Sequence, residues 1–192
     1  MKDMVEIRWH GRGGQGAKTA ALLLADAALA SGKYIQAFPE YGPERMGAPV
    51  TSFDRISSGP ISLHSGVTNP DIVIVLDPTL MDSVDVTEGL PADGTLIVNI
   101  EKSPAEVREM FGIAPGIKIC TVDASKISTE TIGRDIPNTP MLGALVKATG
   151  ILDFKEMIDD TKKKLEKKFK NKPEVIDGNL KAIERAYNEV KV

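Results

Sequence analysis

Apolar positions fall along this chain in two alternating rhythms. Val5 to His10 is β-branched and aromatic, and Tyr34 to Phe38 is a second run of that kind. Asp71 to Asp77 (DIVIVLD), Thr95 to Ile100 and Ile117 to Val122 are nearly unbroken apolar runs, the mark of strands buried on both faces. Between these runs the spacing becomes helical. Gly16 to Ala30 is rich in Ala and Leu with Lys18 and Asp26 as its charges, and Ser31-Gly32-Lys33 stops it. Few charges and many alanines predict a helix covered on most faces. Strand, glycine turn, helix and strand make a βαβ unit.

Pro78 to Val86 and Pro104 to Phe111 open with proline and carry helical spacing, as first turns tolerate. Val50 to Ile56 and Ile61 to Ser65, joined by Ser57-Ser58-Gly59-Pro60, read as a hairpin inserted into the alternation. Pro140 to Thr149 predicts a helix closed by Gly150. Stripes at Phe154, Met157, Ile158, Thr161, Leu165 and Phe169, and at Val175, Ile176, Leu180, Ile183 and Tyr187, predict two more. The expected fold is α/β: a doubly wound, mostly parallel, Rossmann-like sheet with an inserted β-hairpin and C-terminal helices. All 192 residues are expected to form a single domain.

Composition narrows the chemistry. A net charge of −3 offers no general attraction to nucleic acid or to an anionic membrane. No apolar run approaches the ~20 residues of a membrane span, and MKDMVEIRW lacks the apolar core of a signal peptide, so a cytoplasmic protein is expected. Cys120 is the one cysteine, which excludes a disulfide framework, a thiolate zinc site and a self-contained iron–sulfur cluster. It reads as a buried core thiol. The lysines of TKKKLEKKFKNK interleave with Glu156, Asp159, Asp160 and Glu166, so they read as a solvated helix face.

The candidate chemistry lies in GRGGQGAKT, Gly11 to Thr19. A nucleoside-triphosphate loop would place lysine directly after its last glycine, whereas Ala17 intervenes before Lys18. That turns the side chain about 100° around the helix. A dinucleotide site would place an acid at the end of the second strand to grip the ribose, and that strand ends in Gln36-Ala37-Phe38. Neither match is complete, and two further readings stand beside them. The loop seats another anion, using backbone N–H groups at a helix N-terminus with Arg12 and Gln15 in support; or the glycines make a tight turn and nothing more. PEYGPERMGAP, Pro39 to Pro49, follows the second strand and falls at the carboxyl edge of the sheet. There Glu40, Tyr41, Gly42, Pro43, Glu44, Arg45 and Gly47 form either an interface or active-site loop or a rigid surface loop. His10 and His64 fall on strand segments and read as structural histidines and not catalytic bases, though His10 adjoins the glycine loop and is placed to contact a ligand.

HGRGGQGAKTAALLLADA, FPEYGPERMGAPV, DIVIVLDP, NTPMLGAL and the terminal NLKAIERAY together resemble the γ subunits of 2-oxoacid:ferredoxin oxidoreductases. The form of the proline loop favours the pyruvate branch. The resemblance implies a heteromeric enzyme that converts pyruvate, CoA and oxidised ferredoxin into acetyl-CoA, carbon dioxide and reduced ferredoxin. It implies thiamine diphosphate, magnesium and [4Fe–4S] clusters held by α, β and δ-type partner subunits, none of them bound by this chain, which is inactive alone. One cysteine and the lack of a GDG-and-asparagine segment agree. In that setting Gly11, Arg12, Gly13, Gly14, Gln15 and Gly16 are the expected CoA or phosphate-binding residues, with no catalytic or metal-ligating residue in this chain. A γ subunit for another 2-oxoacid, or a free-standing dinucleotide-binding protein, are the alternatives.

Overall fold

The computed structural model describes residues 3–40 and 47–192. Strands β1 (Met4–Arg12), β2 (Tyr34–Glu40), β3 (Pro49–Ser57), β4 (Ile72–Val75), β5 (Thr95–Asn99) and β6 (Lys118–Val122) form one sheet in the order β2-β3-β1-β4-β5-β6. The pairs β1·β4, β4·β5 and β5·β6 are parallel, while β3 is antiparallel to both β1 and β2. Helices α1 (Ala17–Ala30), α2 (Pro104–Phe111), α3 (Ala124–Ile132), α4 (Asn138–Thr149), α5 (Phe154–Lys168) and α6 (Pro173–Glu189) complete the described elements, with a 3₁₀ turn at Pro78–Asp82.

The helices cover the two faces unequally. One cluster gathers Ile7, Trp9, Ile74 and Ile97 beneath α1, α3, α4, α5 and α6. The other gathers Val73, Val75, Leu96 and Val98 with Val107 of α2. Gly143 sets the crossing of α4 over α6, because a Cβ there would lie 2.1 Å from the Ile183 carbonyl oxygen. That close approach explains a glycine inside NTPMLGAL.

Four expectations are corrected. First, the inserted hairpin is β2–β3, with β3 lying between β2 and β1; the βαβ crossover survives, displaced by one strand. Residues 61–65 pair with no strand, since β3 already has a neighbour on each edge. Second, His64 consequently lies on an exposed non-strand segment. Third, Pro78 to Val86 forms just the 3₁₀ turn. Asp77 caps it by accepting from Thr79 N–H at 3.0 Å, and Asp85 then accepts from the Thr87 N–H and hydroxyl, so the chain turns again before a helix can propagate. Fourth, α3 was not anticipated. It is delimited by Asp123, which accepts from Lys126 N–H, and by Gly133 in the left-handed region. Cys120 is fully buried, as expected, and burial pushes its thiol pKa up against the influence of Lys118.

Candidate functional site at the strand switch point

The chain leaves β1 through α1 towards β2 on one side, while β4 and β5 continue on the other. The carboxyl ends of β1 and β4 therefore flank a topological switch point, where open α/β sheets seat their ligands. Gly11 to Gly16 lie there. Gly11 and Arg12 are still ladder residues, opposite Val50 and Pro49 of β3. A Cβ on Gly11 would stand 3.2 Å from Leu76 Cδ1, so the turn hugs the end of β4. Gly13 donates its N–H to Ala48 O at 2.9 Å and accepts from Gly47 N–H at 3.2 Å. Gly16 has φ +83°, and a Cβ on it would come within 2.4 Å of Asn138 Nδ2 at the start of α4. Conformation and packing both demand glycine there. No side chain caps α1 at Gly16, which leaves its N-terminal dipole facing the switch point.

The Asp77 carboxylate fills the cationic side of this turn. Its Oδ2 accepts from Arg12 Nε at 3.1 Å and from Gln15 Nε2 at 2.9 Å. Its Oδ1 accepts from the Thr79 N–H at 3.0 Å and the Thr79 hydroxyl at 2.6 Å. Arg12 also donates to Gly47 O at 3.2 Å and to Thr79 Oγ1 at 2.9 Å, and the Arg12 N–H donates to Gln15 Oε1 at 2.7 Å. Partial burial works to raise the Asp77 pKa. The hydrogen bonds from Thr79 and Gln15, with the Arg12 charge, outweigh it and hold the carboxyl below its ordinary range.

Beside the turn, on the α2 side of the sheet, lies a cavity of ≈ 530 Å³ lined by residues that include Arg8, His10, Phe38, Glu40, Thr51 and Phe53. Arg8 donates to the carbonyls of Val86 and Glu88 at 3.0 and 2.6 Å. His10 is 7% exposed; burial and then the Arg8 charge push its pKa down to about 4, so it is neutral at pH 7. It lines a cavity beside the glycine turn, the place where the sequence allowed it to contact a ligand.

The structure thus brings Gly11, Arg12, Gly13, Gly14, Gln15 and Gly16 together in one turn, with Gly47 bonded to it and Glu40 at the end of β2. Tyr41, Gly42, Pro43, Glu44 and Arg45 lie outside the described residues. Asp77, which ends the apolar run DIVIVLD, is the partner of Arg12 and Gln15. Thr79 and Asn138 were missed. Their signal was present in the acid closing the apolar run DIVIVLDP and in the asparagine opening NTPMLGAL. Among the described residues no group of three or more His, Cys, Asp or Glu side chains is placed to hold a metal ion. With one buried cysteine, the residues do not fit an iron–sulfur cluster, and no step of any reaction is assigned to one in this chain. No helix among the described residues is long and apolar enough to cross a membrane.

The fold and site define an α/β domain with a glycine turn at the switch point of its sheet. The chain belongs to the pyruvate ferredoxin/flavodoxin oxidoreductase family, which matches residues 6–189. It is 52% identical to pyruvate synthase subunit PorC of Thermotoga maritima over 190 residues, 99% of this chain and 96% of that one. It is 49% identical to the pyruvate/ketoisovalerate oxidoreductases common subunit gamma of Thermococcus kodakarensis, covering 98% of each chain. The crystal structure of the Thermotoga maritima subunit superposes with a TM-score of 0.85 over 99% of this chain and 98% of that one, at 50% identity. The keto/oxoacid ferredoxin oxidoreductase γ subunit of Geobacter sulfurreducens, 24% identical, shares the fold with a TM-score of 0.71, covering 96% of each chain.

Proposed function

We propose that this chain is the γ subunit of a heteromeric pyruvate:ferredoxin oxidoreductase, which oxidises pyruvate with CoA to acetyl-CoA and carbon dioxide and reduces ferredoxin. The observation that carries this reading is the full-length similarity at 52% identity to a pyruvate synthase subunit. Thiamine diphosphate, magnesium and [4Fe–4S] clusters belong to α, β and δ-type partners in a cytoplasmic complex, in keeping with the single cysteine here. The turn from Gly11 to Gly16 helps seat CoA or close over the active site of a neighbouring subunit, and Glu40 to Gly47 belong to a subunit-interface or active-site loop. Because the Arg12 fork is already engaged by Asp77, Thr79 and Gly47, the CoA contact falls to backbone N–H groups and the N-terminus of α1.

The test is anaerobic isolation of the tagged chain from its own host, with identification of the chains that accompany it and assay of CoA-dependent viologen reduction. Activity on pyruvate from a multi-chain complex supports the reading. A stable single species without partners or activity overturns it. A second reading has its own support: a relative at 49% identity is a subunit common to pyruvate and ketoisovalerate oxidoreductases. Two distinct complexes sharing this chain, one turning over each oxoacid, would establish it.

A further inference from the structure

Arg12 has the features of a phosphate-binding arginine in sequence and of a strut in space. Its side chain spans three elements: Asp77 after β4, Thr79 in the 3₁₀ turn, and the Gly47 carbonyl on the stem leading into β3. The backbone repeats that link, because Gly13 exchanges hydrogen bonds with Gly47 and Ala48. Gln15 closes the ring by accepting from the Arg12 N–H and donating to Asp77. The Asp77 carboxylate therefore accepts four hydrogen bonds from residues of the turn and its own cap, close to all that its two oxygens can take.

We propose that Asp77 is the positioning residue of this site. Through Arg12, Gln15 and Thr79 it locks the glycine turn to the stem of the loop at 41–46, and Arg12 acts within that lock without touching CoA. This rests on the reading of the chain as a CoA-seating γ subunit. The lock accounts for a guanidinium at this place. A planar fork can bridge a carboxylate, a hydroxyl and a carbonyl at once, which a lysine ammonium on a flexible stem does far less well. It also accounts for selectivity. With the cation spent on Asp77, the turn presents no free positive side chain from Arg12 to a triphosphate, and ligand recognition falls to oriented backbone groups.

The experiment uses the intact complex carrying Arg12→Ala, Asp77→Ala, both together, Asp77→Asn, or Arg12→Lys. Two readouts apply: KM for CoA against KM for pyruvate, and hydrogen exchange at the Gly13 and Gly47 amides. The lock predicts that either alanine variant raises KM for CoA on the order of tenfold, as misplaced binding groups do, with KM for pyruvate little changed. Exchange at both amides rises in parallel. The double variant is no worse than the worse single one, because both act through one unit. Asp77→Asn, which keeps the shape and one of the two acceptor oxygens, has a smaller effect, and Arg12→Lys does not rescue. Direct contact between Arg12 and a CoA phosphate makes the opposite prediction: Asp77→Ala frees the guanidinium and lowers KM for CoA. That result, or unchanged exchange in both alanine variants, overturns the proposal. Exchange also separates the two levels of the argument. A wild-type complex without CoA-dependent pyruvate oxidation would sink the functional reading, while the amides would still report whether Asp77 holds the turn.

Discussion

The two halves of the sheet obey different rules. In the parallel half, β4 and β5 bury Val73, Ile74, Val75, Leu96, Ile97 and Val98 at 0% exposure, between helices on one face and the α2 cluster on the other. In the antiparallel half, β1 and β3 bury Arg8, His10, Ser52, Asp54, Arg55 and Ser57 alongside their apolar residues. Arg55 is 1% exposed and donates to Glu6, to the Gln36 side chain and to Gly66 O, with Phe38 beneath it. The Trp9 indole donates to Asp54 at 2.7 Å, and burial pushes the Asp54 pKa well up although that bond works to lower it. A half held by area burial is robust and insensitive to pH. A half held by buried polar groups depends on each partner and on protonation.

Substitutions should divide along that line. The largest effect falls on Arg55→Ala, which removes the buried member of an ion pair with part-exposed Glu6 and two further charge-assisted hydrogen bonds, to Gln36 and Gly66; a loss of about 3–5 kcal/mol in denaturant titration is expected. A loss under about 1 kcal/mol would mean that the antiparallel half is not held by its polar groups. Next comes pH. His10 has a pKa of about 4 in the fold against 6.5 unperturbed, so between those values the unfolded chain binds the proton and the folded chain does not. Its contribution is intact above pH 6.5 and is lost as pH falls towards 4, roughly 3 kcal/mol in all. His10→Gln should flatten that portion of the stability profile. Asp54 has the opposite sign: its raised pKa means that folding takes up a proton above pH 4, so Asp54→Asn should gain on the wild type as pH rises. In the parallel half, Ile97→Val should cost about 1 kcal/mol, and the cost should be the same at pH 5 and pH 8.

The same division governs what was legible in the sequence. DIVIVLD, TLIVNI and IKICTV were read as strands because continuous apolar runs have one economical use in an α/β chain. α2 was legible because Pro104 opens a run of helical spacing; in the fold a capping box of Ser103 and Glu106 starts it and left-handed Gly112 ends it. β3 was recognised as a strand, yet its neighbours were misassigned, since pairing depends on edges and not on local pattern. α3 escaped because its stripe is short, although Asp123 and Gly133 mark both ends. At the site, the glycines announced a turn and Arg12 announced an anion. The anion supplied by the fold is Asp77, 65 residues further along, and no local pattern states such a partnership.

The role proposed for this chain is to complete the CoA environment of a larger oxidoreductase while supplying none of its cofactors. The most direct measurement compares the complex lacking this chain with the same complex after the chain is added back, following CoA-dependent viologen reduction by pyruvate beside the iron–sulfur absorbance. The account predicts unchanged absorbance and a CoA-dependent rate that appears with the chain. Full CoA-dependent turnover in its absence, or cluster absorbance that arrives with it, would contradict the account.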